Sequence, residues 1–367
     1  MKEKLNVIHI MLLIYMAEKN VTFFSLPRKV AENIGTNGWL VFILLSVLAV
    51  ANIGLFWLVY RLGRGASVFE ILESVLPKYF WYPIYAALAF FWIIAASFIG
   101  KSFFFGYEMM VFPTTNPNYL FLIFCFMLYL LLIKPIYNVG KANTVFFLMT
   151  FWTVLLNLFH LREWEAVRLT THFLQDTPQQ HSFLGYWEIY TSFVGFEFCL
   201  FLFPYVNKQS KLFRGVILGH CLISISLLSL VLISFGFFSF KQLLSYAYPV
   251  VNLLDHIEFT FFNRIENMVL ALFMLASLMV TYMFCFAALT TLKQAVPNIK
   301  RGRIEFIIVM AVFVIGLYPK SITQADALRG TVLYVESGLG VVIPISLIAV
   351  LLLQKLRRTG LEARVQK

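Results

Sequence analysis

The chain has 367 residues, of which 60% are hydrophobic and 13% are charged, and its formal net charge is +11. Soluble domains carry roughly one quarter charged residues, so this composition predicts a polytopic membrane protein and excludes a large soluble core. We expect no enzyme activity, because the longest polar stretch, residues 162–181, is too short for a catalytic domain, and no nucleic-acid binding, because basic residues collect in the cytoplasmic loops of membrane proteins.

Ten apolar segments have roughly the twenty residues that a helix needs to cross a bilayer. In chain order, spans one to ten are residues 5–26, 39–60, 81–110, 119–133, 144–161, 182–207, 216–240, 267–292, 307–318 and 331–354. They predict an all-α protein in which residues 1–367 form a single integral membrane domain that ends in a basic cytoplasmic tail, residues 355–367. With the N-terminus inside, most of the 29 lysine and arginine residues fall in inner segments. We therefore expect both termini in the cytoplasm.

Span one is interrupted in its middle by the polar run Ala17-Glu18-Lys19-Asn20. Charged groups are costly in hydrocarbon, so such residues usually face protein, water or a ligand. One interpretation places Glu18 and Lys19 at a ligand, where one meets a ligand charge and the other pairs within the protein. The alternative places both in an outer vestibule, in contact with water.

Span three contains two more charged residues, Lys101 and Glu108, which are candidates for structural ion pairs. Lys101 either neutralises Glu18 or Glu197, or extends its side chain to the outer interface beside Glu108. We favour extension to the interface.

Span six carries a glycine and a carboxylate near its centre, in the sequence Gly195-Phe196-Glu197. The glycine lets the helix unwind, which is tolerated in a membrane where the freed backbone groups line a cavity. Glu197 either contacts a ligand or caps the freed backbone amides. Phe193 and Phe196, which flank the glycine, are the predicted walls of a pocket.

At the start of span eight, Arg264 and Glu266 carry opposite charges two residues apart. Residues two apart do not face each other on a helix, so we expect each to pair with another element. The alternative for Glu266 is a solvated helix start, where an acidic group lies near the positive end of the helix dipole. The four cysteines and six histidines are dispersed without ligand spacing, so we expect no metal site, no catalytic cluster and no cofactor.

The interruptions of spans one and six are five spans apart, which gives two halves of opposite orientation. Paired interruptions in corresponding positions indicate an inverted-repeat transporter fold with a binding site near the bilayer midplane. The predicted repeats are residues 5–161 and 182–354.

Three groups of residues, in this order and spacing, resemble a known family. They are Leu26-Pro27-Arg28 followed by Gly38-Trp39, Gly195-x-Glu197 followed by Pro204, and Tyr248-Pro249 followed by Arg264-Ile265-Glu266. Over essentially its whole length, the sequence resembles the B subunit of the nutrient germinant receptors of endospore-forming bacteria, the GerAB/GerKB type.

The resemblance implies a fold related to the amino acid/polyamine/organocation permeases, a 5+5 inverted repeat of the LeuT type with spans one and six unwound around the substrate. It implies a subunit that senses a small nutrient, commonly an amino acid, in the inner spore membrane or the cell membrane. The implied partners are a membrane A subunit and a lipoprotein C subunit. Family members often have small residues where this chain has Glu18-Lys19-Asn20, so the germinant can differ from a standard amino acid.

The candidate ligand-binding residues are those of the two interruptions: Ala17, Glu18, Lys19, Thr22, Phe193, Gly195, Phe196 and Glu197. The alternative function is a secondary amino acid transporter coupled to protons or sodium. A proton-coupled or cation-free permease of this architecture can carry a lysine in span five, and residues 144–161 contain none. A purely structural assembly subunit would not need two charged interruptions.

Overall fold

The computed structural model describes residues 4–111, 114–169, 182–207, 211–257, 264–296 and 302–365. Within these ranges the chain is helical apart from turns, breaks and one β-bridge between Leu5 and Val206. The α-helices in chain order are α1 (Val7–Glu18), α2 (Leu26–Ile34), α3 (Gly38–Leu62), α4 (Val68–Glu73), α5 (Lys78–Met110), α6 (Pro117–Leu132), α7 (Ile136–Phe151), α8 (Phe183–Tyr190), α9 (Cys199–Leu202), α10 (Leu212–Phe237), α11 (Phe240–Ser245), α12 (Pro249–Asp255), α13 (Ile265–Ala295), α14 (Arg303–Gly316) and α15 (Ile322–Val365).

Shorter 3₁₀ segments lie between or beside these helices. They are Val21–Phe24, Trp152–Arg162, Ala166–Leu169, Thr191–Phe193, Phe196–Phe198 and Phe203–Tyr205.

Six of the described helices are long and apolar enough to cross a membrane, and they correspond to predicted spans two, three, five, seven, eight and ten. The chain is therefore a multi-pass helical membrane protein. The remaining predicted spans are shorter or interrupted. Span four is α6, span nine is α14, and spans one and six each contain a non-helical break.

The centre of the molecule is α13, whose most apolar window is 78% buried, whereas that of α3 is 28% buried. The reason is packing: α13 lies against α5, α7 and α1. Outward-facing residues of α3 such as Leu44 and Leu48 are exposed, as expected for side chains that contact lipid.

The first helix, α1, is enclosed by α10, α7 and α13. Its start is capped by Asn6, whose Oδ1 accepts a hydrogen bond from the His9 N–H at 2.8 Å. Gly219 of α10 permits a close approach, because a Cβ there would collide with the Met11 carbonyl oxygen. The C-terminal end of α1, at Glu18, consequently lies in the protein interior.

Candidate binding site

Span one unwinds at residues 19–20, directly after the end of α1, and residues 17–20 are here called break one. Lys19 leaves the helical region (φ −81°, ψ 65°) and Asn20 is extended (φ −88°, ψ 174°). The Asn20 Oδ1 accepts a hydrogen bond from the Thr22 N–H at 2.8 Å and so caps the 3₁₀ segment Val21–Phe24. Asparagine is among the residues that cap helix starts best, so a local side chain stabilises this break.

Span six unwinds at residues 194–195, and residues 193–197 are here called break six. Val194 is extended, and Gly195 has φ +142°, a region that glycine enters without the steric cost of a Cβ. The Glu197 Oε2 accepts a hydrogen bond from the Gly195 N–H at 2.8 Å. The capping role that the sequence offered for Glu197 is therefore present.

The two breaks contact each other through their backbones. A Cβ placed on Gly195 would lie 2.7 Å from the Ala17 carbonyl carbon and 2.8 Å from the Glu18 backbone nitrogen. Glycine is thus required here for a second reason, because any side chain would push the two breaks apart. The unwound segments of spans one and six form one continuous buried region.

Beside this contact, Glu18 forms an ion pair with His220 of α10, with the carboxylate Oε2 and the imidazole Nδ1 2.9 Å apart and both side chains 0% exposed. The imidazole Nε2 lies 3.2 Å from the Ser46 carbonyl oxygen, which can only accept a hydrogen bond. The hydroxyl oxygens of Ser46 and Ser224 lie 3.4 and 3.3 Å from the same nitrogen, so the imidazole joins Glu18 of α1 to polar groups of α3 and α10.

The predicted pocket walls surround this imidazole. The rings of Phe193 and Phe196 lie 5.4 and 6.1 Å from the His220 ring, both edge-on. Phe42 of α3 packs on Phe193 from the other side, at 5.0 Å. Break six therefore contacts the same histidine that pairs with break one, and a displacement of either break changes the surroundings of His220.

Lys19 lies in break one but points toward spans five and eight. Its Nζ is 3.4 Å from the Thr150 carbonyl oxygen and 5.5 to 5.8 Å from the ring centres of Tyr15, Phe23 and Phe273. Aromatic faces attract an ammonium group, which offsets part of the cost of its burial. Among the described residues no carboxylate forms an ion pair with Lys19.

Glu18 and Lys19 are both 1% exposed, so the interpretation that they contact water in an outer vestibule was wrong. Burial follows from the packing of α1 within α7, α10 and α13, which the sequence of span one alone does not reveal. Ala17 and Thr22, the neighbouring candidates, are buried as well.

Glu336 of α15 is a further buried carboxylate, which the sequence analysis did not identify. It is 2% exposed, accepts a hydrogen bond from the Trp92 indole N–H at 3.0 Å and interacts electrostatically with Glu197. The rule that selected Glu197, a charge inside an apolar span, applies equally to Glu336 and to His220. Both could have been found from the sequence.

A family model described as "Spore germination protein" matches residues 4–325. The chain belongs to this spore germination protein family. No curated protein sequence matches the chain. The family match includes both breaks, Glu18, Glu197 and His220, and it ends before Glu336.

In this chain, the Lys101 side chain reaches the start of α6 and interacts electrostatically with Glu108. It is fully buried, and its Nζ donates a hydrogen bond to the Asn118 Oδ1 at 2.5 Å. The rings of Phe105 and Phe121 cover it at 4.8 and 5.4 Å. These rings and the start of α6 enclose the ammonium group, and it pairs with neither Glu18 nor Glu197.

Glu108, one of the ion-pair candidates, lies with Lys320 in the wall of a separate cavity of about 740 Å³ between α5, α6 and α15. It interacts electrostatically with Lys101 without forming a direct ion pair among the described residues. Glu108 is therefore remote from the two breaks.

Arg264 and Glu266 pair with each other, so the prediction that each would pair with a different element was wrong. Their Nε and Oε1 atoms are 2.7 Å apart. The reason is that Arg264 precedes α13 and is not helical (φ −145°, ψ 75°), so the spacing rule for helical residues does not apply.

No group of three histidine, cysteine, aspartate or glutamate side chains converges as a set of metal ligands in the part of the chain that the structure describes. The two breaks present charged groups and hydrogen-bonding groups, among them Glu18, Lys19 and Glu197.

Proposed function

We propose that this chain is the B subunit of a nutrient germinant receptor, which binds a small germinant such as an amino acid at the two breaks and signals germination. The supporting observation is the backbone contact between Gly195 and Ala17, which joins the breaks into one buried region lined by Glu18 and Glu197. Membership in the spore germination protein family supports the germination role. The partners are an A-type membrane subunit and a C-type lipoprotein in the inner spore membrane.

The proposed architecture is ten crossings in two inverted repeats, residues 5–161 and 182–354, with both termini in the cytoplasm. It is supported by the breaks in spans one and six, five spans apart, and by their mutual contact. The ligand contacts would come from Ala17, Glu18, Lys19, Thr22, Phe193, Gly195, Phe196 and Glu197.

A ligand at the breaks would act on the surrounding helices through His220. This side chain links Glu18 of α1 to Ser46 of α3, and the rings of Phe193 and Phe196 pack edge-on against it. A ligand shifts a conformational equilibrium only by its differential affinity for the two states. Displacement of either break would change the imidazole contacts and so move α3 and α10 relative to α1.

The test uses Glu197→Gln, because glutamine keeps an acceptor for the Gly195 N–H and removes the charge. Spores carrying the variant are exposed to increasing L-alanine and to a panel of other nutrients, and germination is followed by loss of optical density. For the active nutrient we expect the half-maximal concentration to rise about tenfold, the effect of losing about 1.4 kcal/mol of binding. Glu108→Gln, in the separate cavity, is the matched control and should respond like the wild type.

An unchanged dose-response for Glu197→Gln, at normal protein levels, would remove break six from the site. The receptor assignment itself is tested by co-purification from spores. An A-type subunit and a lipoprotein should be recovered together with this chain.

Transport is the second candidate function, and one observation favours it. Permeases of this architecture can carry a lysine in span five, and this chain has none there. Lys19 of span one instead places its ammonium group 3.4 Å from the Thr150 carbonyl oxygen of span five. Proteoliposomes containing this chain alone would be given a proton gradient and radiolabelled amino acids. Concentrative uptake would favour the transporter over the receptor subunit.

A further inference from the structure

We infer that Glu197 and Glu336 together form a binding site for a primary ammonium group, an assignment that rests on the ligand-binding role proposed above and names the ligand class. The two carboxylates come from elements far apart in the sequence. Gly340, one turn after Glu336 on α15, would carry its Cβ 3.8 Å from the Glu197 Cβ, so α15 packs directly on the segment that follows break six.

The charges of these two carboxylates are not neutralised by the protein. Glu197 and Glu336 are 7% and 2% exposed and interact electrostatically with each other. Neither forms an ion pair with a basic side chain of the described ranges. Two buried carboxylates without a cation are unstable as two anions, so they require a proton or a bound cation.

Glu18, whose backbone lies against Gly195, differs from Glu197 and Glu336 in having a basic partner. This partner is His220, with the two side chains 2.9 Å apart. Glu18 also interacts electrostatically with Glu197. In the part of the chain that the structure describes, the hydrogen-bond donors to Glu197 and Glu336 are neutral and include the Gly195 N–H and the Trp92 indole N–H.

Unused acceptor atoms point to a ligand that donates hydrogen bonds. The Oε1 atoms of Glu197 and Glu18 are buried, and neither has a hydrogen-bond partner among the described residues. Glu18 is 1% exposed, and its backbone lies against Gly195. Break one therefore adds a second buried acceptor, the Glu18 Oε1, to the region around Glu197. A primary ammonium group has three donors and can satisfy several such oxygens at once.

An ammonium group fits this site better than a metal ion does. Calcium takes six to eight oxygen ligands and magnesium requires six in near-octahedral geometry, whereas the described side chains do not converge in groups of three. The indole of Trp92 and the ring of Phe201, packed edge-on at 5.2 Å, provide an aromatic wall next to Glu336. Aromatic rings favour organic cations.

The aromatic wall also connects the site to a cavity. Phe201 lines a cavity of about 1260 Å³ that lies between α4, α9 and α13 and whose wall also includes Lys4 and Lys134. The same ring contacts Trp92, which hydrogen-bonds to Glu336. Phe201 therefore lies in the cavity wall and against the indole that hydrogen-bonds to Glu336.

The experiment measures protection from a hydrophobic carbodiimide, which modifies buried carboxyl groups, in the purified full-length protein. The reaction is run with methylammonium chloride, tetramethylammonium chloride or sodium chloride at equal concentration. Mass spectrometry then measures the total modification of Glu197 and Glu336, which is the sum of the N-acylurea product and the N-methylamide that methylamine forms from an activated carboxyl group. We expect methylammonium to slow modification of both residues about tenfold, as a charge-assisted contact would. Tetramethylammonium, which has no N–H donor, and sodium should not slow it, and Glu108 should react equally in all three salts.

Absence of protection by methylammonium would overturn the ammonium site, and so would equal protection by sodium or by tetramethylammonium. The Glu336→Gln variant should remove the protection of Glu197, and the wild-type measurement stands if that variant does not fold. The two proposals fail separately. If protection is absent while Glu197→Gln still shifts the germination response, the ammonium site alone is wrong. If protection is present while Glu197→Gln germinates normally, the receptor role of break six is wrong.

Discussion

Break one and break six interrupt their helices in different ways. At break one, Lys19 and Asn20 have negative φ angles, and the Asn20 side chain caps the segment that follows. At break six, Gly195 has φ +142° and lies in backbone contact with Ala17. Both breaks have a side-chain cap, Asn20 at break one and Glu197 at break six, but break six also depends on the absence of a side chain at residue 195.

This difference predicts unequal tolerance to substitution. A side-chain cap can be replaced by another side chain with an acceptor at the same position. A position with positive φ, where an added Cβ would lie less than 3 Å from neighbouring backbone atoms, leaves room for glycine alone. We therefore expect break one to tolerate various residues, of which Glu18 and Lys19 are those of this chain. At break six, residue 195 should tolerate only glycine.

Gly195→Ala should have the largest effect. It combines a φ that L-residues rarely adopt with a collision against the Ala17 backbone, so we expect a loss of at least about 4 kcal/mol in the free energy of unfolding. Thermal unfolding of the purified protein in detergent measures it. Gly54→Ala is the matched control, because a Cβ at this position of α3 meets nothing within 4 Å. Equal unfolding midpoints for the two variants would show that the breaks are not in contact.

His220→Ala should have the next largest effect. It leaves the Glu18 carboxylate buried without its partner, which costs about 3 kcal/mol for a buried pair of this kind. Glu18→Gln made in the same chain removes the orphaned charge, so the double variant should be more stable than His220→Ala alone. If the two substitutions are additive in a double-mutant cycle, the pair contributes no coupling and the link between break one and α10 is absent.

The sequence predicted the breaks because their signals are local. Gly195 and Glu197 stand two residues apart inside an apolar span, and Glu18 and Lys19 interrupt another. Local composition also predicted a multi-pass helical protein, and the family match agrees with the resemblance found in the motifs. These features require only a window of about twenty residues.

The partners of the charged residues were not predicted, because they lie far along the chain. Glu18 and His220 are separated by 202 positions. Asn118 reaches Lys101 across a turn between two helices, which no periodicity rule describes. The prediction for Arg264 and Glu266 was wrong for a local reason. The spacing rule applies to helical residues, and α13 begins at Ile265, one residue after Arg264.

The smallest predicted effect is that of substitutions at Asn20. They test most directly whether a side-chain cap stabilises break one. Asn20→Ala removes the acceptor for the Thr22 N–H and should cost about 1 kcal/mol of unfolding free energy, as loss of a helix cap does. Asn20→Ser keeps an acceptor oxygen at the same position, so its unfolding midpoint should stay within experimental error of the wild type. Equal losses for alanine and serine would mean that the Asn20 cap does not stabilise break one. Break one would then depend on backbone packing, as break six does at Gly195.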